Sequence, residues 1–574
     1  MSGGSNFERG EWNLLLAGEA GQGLQVVEAL LSEAFRQEGY CVFSGQEFMS
    51  RIRGGSNSTL LRIGSGPVRA WSDRTDLAIV FDGKALSRLE KRLQAETLIL
   101  GDGLQKAGRG RILDVPLRRL AQEAGGALFV NSVGAGILWG IFGGRPEVLD
   151  NAVRASFSGK EAALVEKNLA AAGSGLEAGR KLKDSGRVSL ALAGPAAVGE
   201  GLHLSGTEAI ALGAMAGGCN FVFSYPMSPA TGIVTFLARH GHDSGILVEQ
   251  AEDEIGAANM VLGAWYAGAR GMAATSGGGF ALMSETISLS AMTETPMVVV
   301  LAQRPGPATG LPTRTEQGDL QLALGAGHGE FPRVLLAPGN PEQGFALARE
   351  SFDLADSCQV PVILLADQYL LDSHFDLIAP LRTEAPPQAA IVETTAGYRR
   401  YLLTPSGISP RGVPGWGEGL IGVDSDEHDE SGHITEDLEL RIKMVDKRLR
   451  KFGSLAEKAI PAEWLGPEGA SHLAVCWGST LEIVREALAC LGRQDLAALH
   501  FSQVFPLPEA SRQQLERAKC PILVEGNATG QFGVLLTQHW GVRWRHRLLK
   551  YNGLPFSVEE VASGLRRILQ GEGA

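Results

Sequence analysis

The chain is poor in cysteine, in positive charge and in long apolar runs, and each shortage excludes something. Six cysteines among 574 residues stand singly at Cys41, Cys219, Cys358, Cys476, Cys490 and Cys520, with no C-x-x-C pair. Scattered thiols of this kind are expected to be reduced and mostly buried, and they offer no ligand set for an iron–sulfur cluster. Lys and Arg number 52 against 64 Asp and Glu, a net charge of −12 without any long basic run. That balance argues against a nucleic-acid surface. The longest apolar runs, such as MVVVLA and VPVILLA, fall far short of the roughly 20 residues needed to cross a bilayer. The opening MSGGSNFERGEW has no apolar core of a secretory leader. The expectation is a cytoplasmic protein with neither nucleic acid nor membrane as partner.

What the sequence does hold is a repeated alternation of β-branched segments with helical patterns, punctuated by glycine turns, which predicts parallel α/β layers in several domains. A first block opens with WNLLLAGEAGQGLQVVEALL, a strand, a turn at Gly18, Gly21 and Gly23, and an amphipathic helix, and closes near residue 185. A second runs from LHLSGTEAIALGAMAGG through strands near 297–302 and 360–366. Residues 380–435 are rich in Pro, Gly and charge and read as a long ordered or semi-ordered connection. A basic helix near 436–452 follows, expected to turn Ile442, Val445 and Leu449 inward and its charges outward. A last α/β block starts at HLAVCWGST.

The most informative stretch is EQAEDEIGAANMVLGAWYAGARGMAATSGGG, with carboxylates at Glu249, Glu252, Asp253 and Glu254. A helix from Asp253 to about Ala269 would place acids in its first turn, where free amides and the macrodipole favour them, so helix capping alone could explain them. The continuation points further. Gly256, Ala257, Ala258, Gly263, Ala264, Ala267 and Gly268 are small enough to let another backbone approach. The strand GMAAT then leads into SGGGF, where backbone amides are uncovered.

This constellation resembles the pyrimidine-binding domain of thiamine-diphosphate enzymes. The resemblance puts that family's glutamate on Glu254, whose carboxyl would hydrogen-bond N1′ of the aminopyrimidine. A partly buried acid suits that proton exchange. It implies cofactor contacts at Tyr225, Pro226, Thr275, Ser276 and Gly277. The magnesium and diphosphate motif of such enzymes has a false match at Gly101-Asp102-Gly103 with Asn131. The residues after it lead into a strand instead of a helix N-terminus, so it is rejected. Half a thiamine site is expected here, with the other half on a second polypeptide and no metal ligand in this chain.

Adding YPMSPATG (225–232), LAQRPGPATGLPTRTEQGDL (301–320) and GEAGQG (18–23), the chain resembles the α (alpha) subunit of 2-oxoacid:ferredoxin oxidoreductases with a γ (gamma) domain fused ahead of it. The implied fold is α/β and multidomain. A gamma domain would span 1–188, a pyrimidine-binding thiamine-diphosphate domain 189–385, a linker with the basic helix 386–465, and a transketolase C-terminal-like domain 466–574. The resemblance implies a β (beta) subunit that supplies Mg²⁺, the diphosphate site and a four-iron four-sulfur cluster. It further implies ferredoxin as electron acceptor, coenzyme A as co-substrate and a dimer of αβ pairs, a heterotetramer. The reaction implied is oxidative decarboxylation of a 2-oxoacid to its acyl-coenzyme A, reversible as reductive carboxylation and CO2 fixation.

By position in the family pattern, Ser228 and Arg304 would take the C1 carboxylate of the substrate. Arg314 would take a distal carboxylate, which favours 2-oxoglutarate and succinyl-CoA over pyruvate, branched-chain or aryl oxoacids. The alternative is that Arg314 merely pairs with Glu316 or Asp319. Coenzyme A contacts are assigned to Gly21, Gly23, Arg51 and Arg53, against a plain tight turn and surface salt bridges. GEAGQG is not G-x-G-x-x-G, so no nicotinamide site is expected. His428, Asp429 and His433 read as a solvated acidic turn and not as a metal site. A non-catalytic assembly or ligand-sensing protein on the same fold stands as the alternative from another class.

Overall fold

Strands buried along most of their length and helices that cover them fold here into α/β layers, as the alternation of elements predicts. The computed structural model describes residues 8–49, 55–90, 92–104, 109–188, 190–195, 201–383 and 386–571. The chain divides into two compact units. The first comprises Met1–His203, Ser373–Ile378 and Ser557–Glu559, and the second Leu204–Asp372, Ala379–Phe556 and Glu560–Ala574.

In the first unit, strands Arg111–Asp114, Leu98–Gly101, Leu77–Val80 and Glu11–Glu19 lie side by side and parallel. Ser56–Gly64, Cys41–Glu47 and His374–Asp376 continue the sheet antiparallel. Helices Val130–Phe142 and Ala162–Asp184 pack on each other through glycines. A Cβ on Gly136 would run into Ala172 O, and one on Gly175 into Val133 O, so no larger residue permits this approach. The strand that arrives from residue 374 is pinned by Asp376. Its carboxylate accepts from Arg36 Nε at 2.7 Å and from Val42 N at 2.6 Å. Glu559 accepts from Ser72 Oγ at 2.6 Å and from Asp73 N at 3.0 Å.

The second unit holds two sheets. The larger orders Leu247–Gln250, Phe221–Ser224, Gly271–Thr275, Met297–Gln303, Pro361–Asp367, Val334–Leu336 and Gln503–Phe505. All are parallel except the last. Every residue of MVVVLAQ is buried because strands flank it on both sides and helices cover both faces, which is why it reads as one apolar run. Helix Gly206–Ala216 starts with a capping box between Ser205 and Glu208, and Pro341–Cys358 starts on Asn340 with Pro at its first position. The smaller sheet orders Glu463–Leu465, Leu496–Phe501, His472–Trp477, Cys520–Glu525 and His546–Leu549, parallel apart from its first strand.

From Leu377 to Asp437 the described residues form no helix or strand, only bridges Thr394↔Gly417 and His428↔Ile434. Buried arginines order this segment. Arg411 Nη1 donates to Trp265 O at 2.9 Å and Nη2 reaches Asp356 Oδ1 at 2.5 Å, while Arg400 bonds Gln359 Oε1 and Glu294 O. The His428 reading needs correction: its ring is fully buried 4.0 Å from that of Tyr401, with Nδ1 on Asp426 O, whereas Asp429 is half-exposed and His433 is solvated.

The basic helix, Leu438–Glu457, departs in part from expectation, with Val445 and Leu449 half-buried but Ile442 outside and basic side chains inside. Ile442 is 61% exposed, whereas Met444, Lys447, Arg448 and Lys451 are buried. The cause is Glu294, a buried carboxylate: Lys447 Nζ lies 2.5 Å from Oε1 and Lys451 Nζ 2.7 Å from Oε2. The second contact is off hydrogen-bonding angle and is an ion pair only. Two ammonium groups bound to one buried acid outweigh the hydropathy of the helix face, and their methylene stems fill the apolar space. All six cysteines are thiols: Cys41, Cys219, Cys358 and Cys476 are buried, Cys520 is half-buried and Cys490 is exposed. Among the described residues, no helix is long and apolar enough to cross a membrane.

Candidate active site

The four acids of the opening motif separate in three dimensions. Glu249 and Glu252 are exposed. Asp253 is the cap of helix Glu254–Tyr266, its Oδ1 accepting from Gly256 N at 2.7 Å. Capping thus accounts for Asp253 and leaves Glu254 unexplained. Glu254 turns inward to 4% exposure, and its Oε1 is buried without a hydrogen-bond partner. Gly256 and Gly263 do not receive a neighbouring backbone of this chain: a Cβ at 256 would meet only Asp253, and one at 263 nothing.

The carboxyl of Glu254 packs on the TSGGG segment. A Cβ on Gly279 would lie 2.5 Å from Glu254 Oε1 and closer still to Thr275 Oγ1, so glycine is required there for the carboxyl to sit where it does. Thr275 ends strand Gly271–Thr275, and the three glycines form the first turn of helix Gly277–Leu282 instead of a loop ahead of it. Thr275 and Ser276 are fully buried, and Ser276 Oγ also lacks a partner.

Loops after the neighbouring strands reach the same place, the carboxyl ends of a parallel sheet where such crevices form. Ser224 Oγ donates to Ala274 O at 2.6 Å, fixing the start of YPMS beside the TSGGG strand. Tyr225 and Pro226 are exposed, and Met227 Sδ lies 3.9 Å from Thr275 Oγ1. Arg304 Nη1 donates to Ser228 O at 2.7 Å. Among the described residues no carboxylate forms an ion pair with Arg304, and burial draws its proton affinity down. Asp319 closes the group. A Cβ on Gly277 would be 2.6 Å from Asp319 Oδ1, Asp319 N donates to Gln303 Oε1 at 3.1 Å, and Oδ2 is buried and unpaired. Burial and then Glu316 push the Asp319 carboxyl up to about 6, with Arg304 opposing.

The structure therefore brings Glu254, Thr275, Ser276 and Gly277 together and joins Ser228 to Arg304. Arg314 lies further along the same loop, its Cβ 3.2 Å from where a Cβ on Gly553 would be, and Thr315 N donates to Gly553 O. Gly21 and Gly23 belong to the first unit, in a turn with φ of 89° and 74° that Asn131 Nδ2 ties to Gln22 O at 2.5 Å. Arg51 and Arg53 lie outside the described residues. The false metal motif has a structural explanation: Asp102 Oδ2 accepts from Arg118 N, and Asp114 from Gly103 N. No group of metal-ligating side chains occurs among the described residues. Sequence reasoning passed over Met227 and treated Asp319 only as a mate for Arg314. The Gln-Gly-Asp turn that follows Arg314 was the available signal.

A strand-end crevice with a buried unpaired carboxyl and a glycine-opened helix defines a thiamine-type α/β enzyme. Comparison with known proteins narrows this. Residues 212–447 match the family model described as pyruvate flavodoxin/ferredoxin oxidoreductase, thiamine diphosphate-binding, and residues 13–178 match pyruvate ferredoxin/flavodoxin oxidoreductase. A 2-oxoacid:ferredoxin oxidoreductase 1 subunit alpha from Aeropyrum pernix is 30% identical, covering 97% of each chain. The 2-oxoglutarate synthase subunit KorA of Methanocaldococcus jannaschii is 31% identical over 55% of this chain and 86% of its own. Among solved structures, the 2-oxoglutarate:ferredoxin oxidoreductase from Magnetococcus marinus, with 2-oxoglutarate, coenzyme A and succinyl-CoA bound, matches with TM-score 0.90 at 29% identity, covering 98% of this chain and 100% of that one. The chain belongs to the 2-oxoacid:ferredoxin oxidoreductase family, as an alpha subunit with a thiamine-diphosphate-binding domain.

Proposed function

We propose that this chain is the alpha subunit of a coenzyme A-acylating 2-oxoglutarate:ferredoxin oxidoreductase that forms succinyl-CoA and CO2, and can run in reverse. The observation that carries the reading is the buried Glu254 carboxyl with an unpaired oxygen beside a turn that only glycine permits. Ser276 Oγ is unpaired beside it, so the residues present fit a flat heteroaromatic ring bearing donors and acceptors, as the aminopyrimidine of thiamine diphosphate is. Thiamine diphosphate, when bound, supplies the electron sink for loss of CO2. Glu254 holds and returns the proton at N1′ of that ring. Tyr225, Pro226, Thr275, Ser276 and Gly277 line and orient it.

Ser228 and Arg304 hold the C1 carboxylate, and the planar guanidinium of Arg314 takes the distal carboxylate of 2-oxoglutarate. Relatives whose names specify 2-oxoglutarate support this choice. Gly21, Gly23, Arg51 and Arg53 are assigned to coenzyme A. The beta subunit is assigned the Mg²⁺ and diphosphate site and the four-iron four-sulfur cluster that passes electrons to ferredoxin. The working unit is a cytoplasmic dimer of αβ pairs. Within the chain, 1–188 acts as the gamma domain, 189–385 as the pyrimidine-binding domain, 386–465 as the linker and 466–574 as the transketolase C-terminal-like domain.

The test is to co-express the chain with its beta subunit and assay several 2-oxoacids with coenzyme A and a one-electron dye. Preferred turnover of 2-oxoglutarate is expected, and preferred turnover of pyruvate overturns the substrate assignment. Arg314→Ala should raise KM for 2-oxoglutarate by roughly 1.5–3 kcal/mol more than for 2-oxobutyrate. Equal effects on both refute the distal-carboxylate role.

A further inference from the structure

Arg304 and Asp319 form an unusual couple. Arg304 keeps its remaining N–H groups uncommitted after one bond to Ser228 O, with no ion pair to a carboxylate among the described residues. Asp319 N donates to Gln303 Oε1 at 3.1 Å, which seats Asp319 beside the residue that directly precedes Arg304. Its carboxyl is wedged against Gly277, accepts no hydrogen bond at the buried Oδ2, and receives no capping bond from the glycine turn beside it. A buried carboxyl oxygen without a partner, next to a cation that among the described residues bonds only a carbonyl, belongs to an acid arranged to change charge. The charged groups acting on it are Glu316 from its own loop and Arg304 from the end of strand Met297–Gln303. Gln303 and Gly277, which also border it, are neutral.

We infer that Asp319 is a positioning residue that competes with the substrate C1 carboxylate for Arg304, so that a 2-oxoacid binds with uptake of one proton from solvent onto the Asp319 carboxyl. This rests on the reading of Arg304 as the carboxylate receptor. The chemistry is a charge balance. Free Arg304 is partly neutralised by ionised Asp319; an incoming carboxylate beside that anion adds repulsion; protonation removes the repulsion and returns the full guanidinium charge to the substrate. The ordinary affinity of an aspartate for protons would make this uptake negligible near neutrality. Burial and Glu316 raise it to about 6, close enough for one substrate carboxylate to complete the step.

The test uses the complete alpha–beta complex. KM for 2-oxobutyrate should rise with pH above about 6, by at most about tenfold per pH unit. Binding of 2-hydroxybutyrate, which keeps the C1 carboxylate but cannot be decarboxylated, should take up protons by calorimetry in two buffers of unlike ionisation heat. Asp319→Asn should flatten the KM profile and abolish the uptake. A wild-type slope and uptake in that variant overturns the inference. Should Asp319→Asn not assemble, Glu316→Gln reads the same device: loss of the one like charge should move the profile to lower pH, and an unmoved profile counts against it. Arg304→Ala separates the two levels. If it leaves KM untouched, the receptor reading fails; if it raises KM while Asp319→Asn keeps the wild-type slope, only the role of Asp319 fails.

Discussion

Glu254 and Glu294 lie in the same unit and are almost equally hidden, 4% and 1% exposed, yet their surroundings are opposite. Glu294 is gripped by Lys447 and Lys451 and flanked by Arg400. Burial alone would raise its proton affinity; the attraction of Lys451, Lys447 and Arg400 overturns that and holds the carboxyl well below the usual carboxylate range. Glu254 has no ion-pair partner among the described residues, and one of its oxygens is unpaired. A buried acid whose charge is fully compensated ties elements together, here the segment after helix Ser284–Met292 to helix Leu438–Glu457. A buried acid left uncompensated costs stability and persists where something else completes it.

The contrast can be broken in order of expected effect. Glu254→Gln keeps shape and loses proton exchange, so kcat of the complex should fall by about 10²–10⁴ while the melting temperature stays near wild type. Wild-type turnover would reduce Glu254 to a second structural acid. Glu294→Ala should do the reverse, leaving two buried ammonium groups without a counter-charge at a cost of ~3–5 kcal/mol in denaturant unfolding. Replacing Glu294, Lys447 and Lys451 together with apolar residues should recover most of that loss, which no combination of neighbours can do for the activity lost at Glu254. Gly279→Ala sharpens the comparison from the backbone side. Its Cβ needs the space of the Glu254 carboxyl, so ~1–3 kcal/mol of overpacking should appear together with weakened thiamine diphosphate binding by the complex. The smallest effect is one of pH. Because the Glu294 carboxyl is depressed below its unfolded value of 4.5, its contribution is fully present above that pH and is lost only as pH falls further, through the folded value. Between neutrality and about pH 4.5 the stability difference between wild type and Glu294→Gln should therefore change only through Lys447 and Lys451, whose proton affinity Glu294 holds up, and below that pH it should shrink.

The two glutamates also mark what a sequence can and cannot disclose. The placement of Glu254 against the glycine turn was legible because its elements are local: an acid, a small-residue helix, a short strand and three glycines follow within 30 positions. The parallel layers were legible for the same reason, since a run such as MVVVLAQ is buried on both faces wherever it occurs. Glu294 was invisible. Its partner Lys447 sits 153 residues away, with Lys451 a turn further along a helix whose hydropathy points Ile442 inward, and a distant carboxylate drew those basic side chains into the interior. Asp319 failed to register for a related reason. Its sequence neighbours include Arg314, but its carboxyl packs against Gly277, a contact that only the folded loop creates.

The strand His374–Asp376 carries a consequence for how the protein is made. Until it arrives, Cys41–Glu47 is an edge strand with unpaired backbone groups, open to pairing with another chain. On the ribosome, residues up to 203 emerge first, and at ~5–20 residues per second the closing strand follows on the order of ten to thirty seconds later. For that interval the newborn amino-terminal unit lacks strand His374–Asp376 as well as the Glu559 contacts to Ser72 and Asp73. Its folding therefore has to wait for translation to finish, and a holding chaperone has a defined edge on which to act.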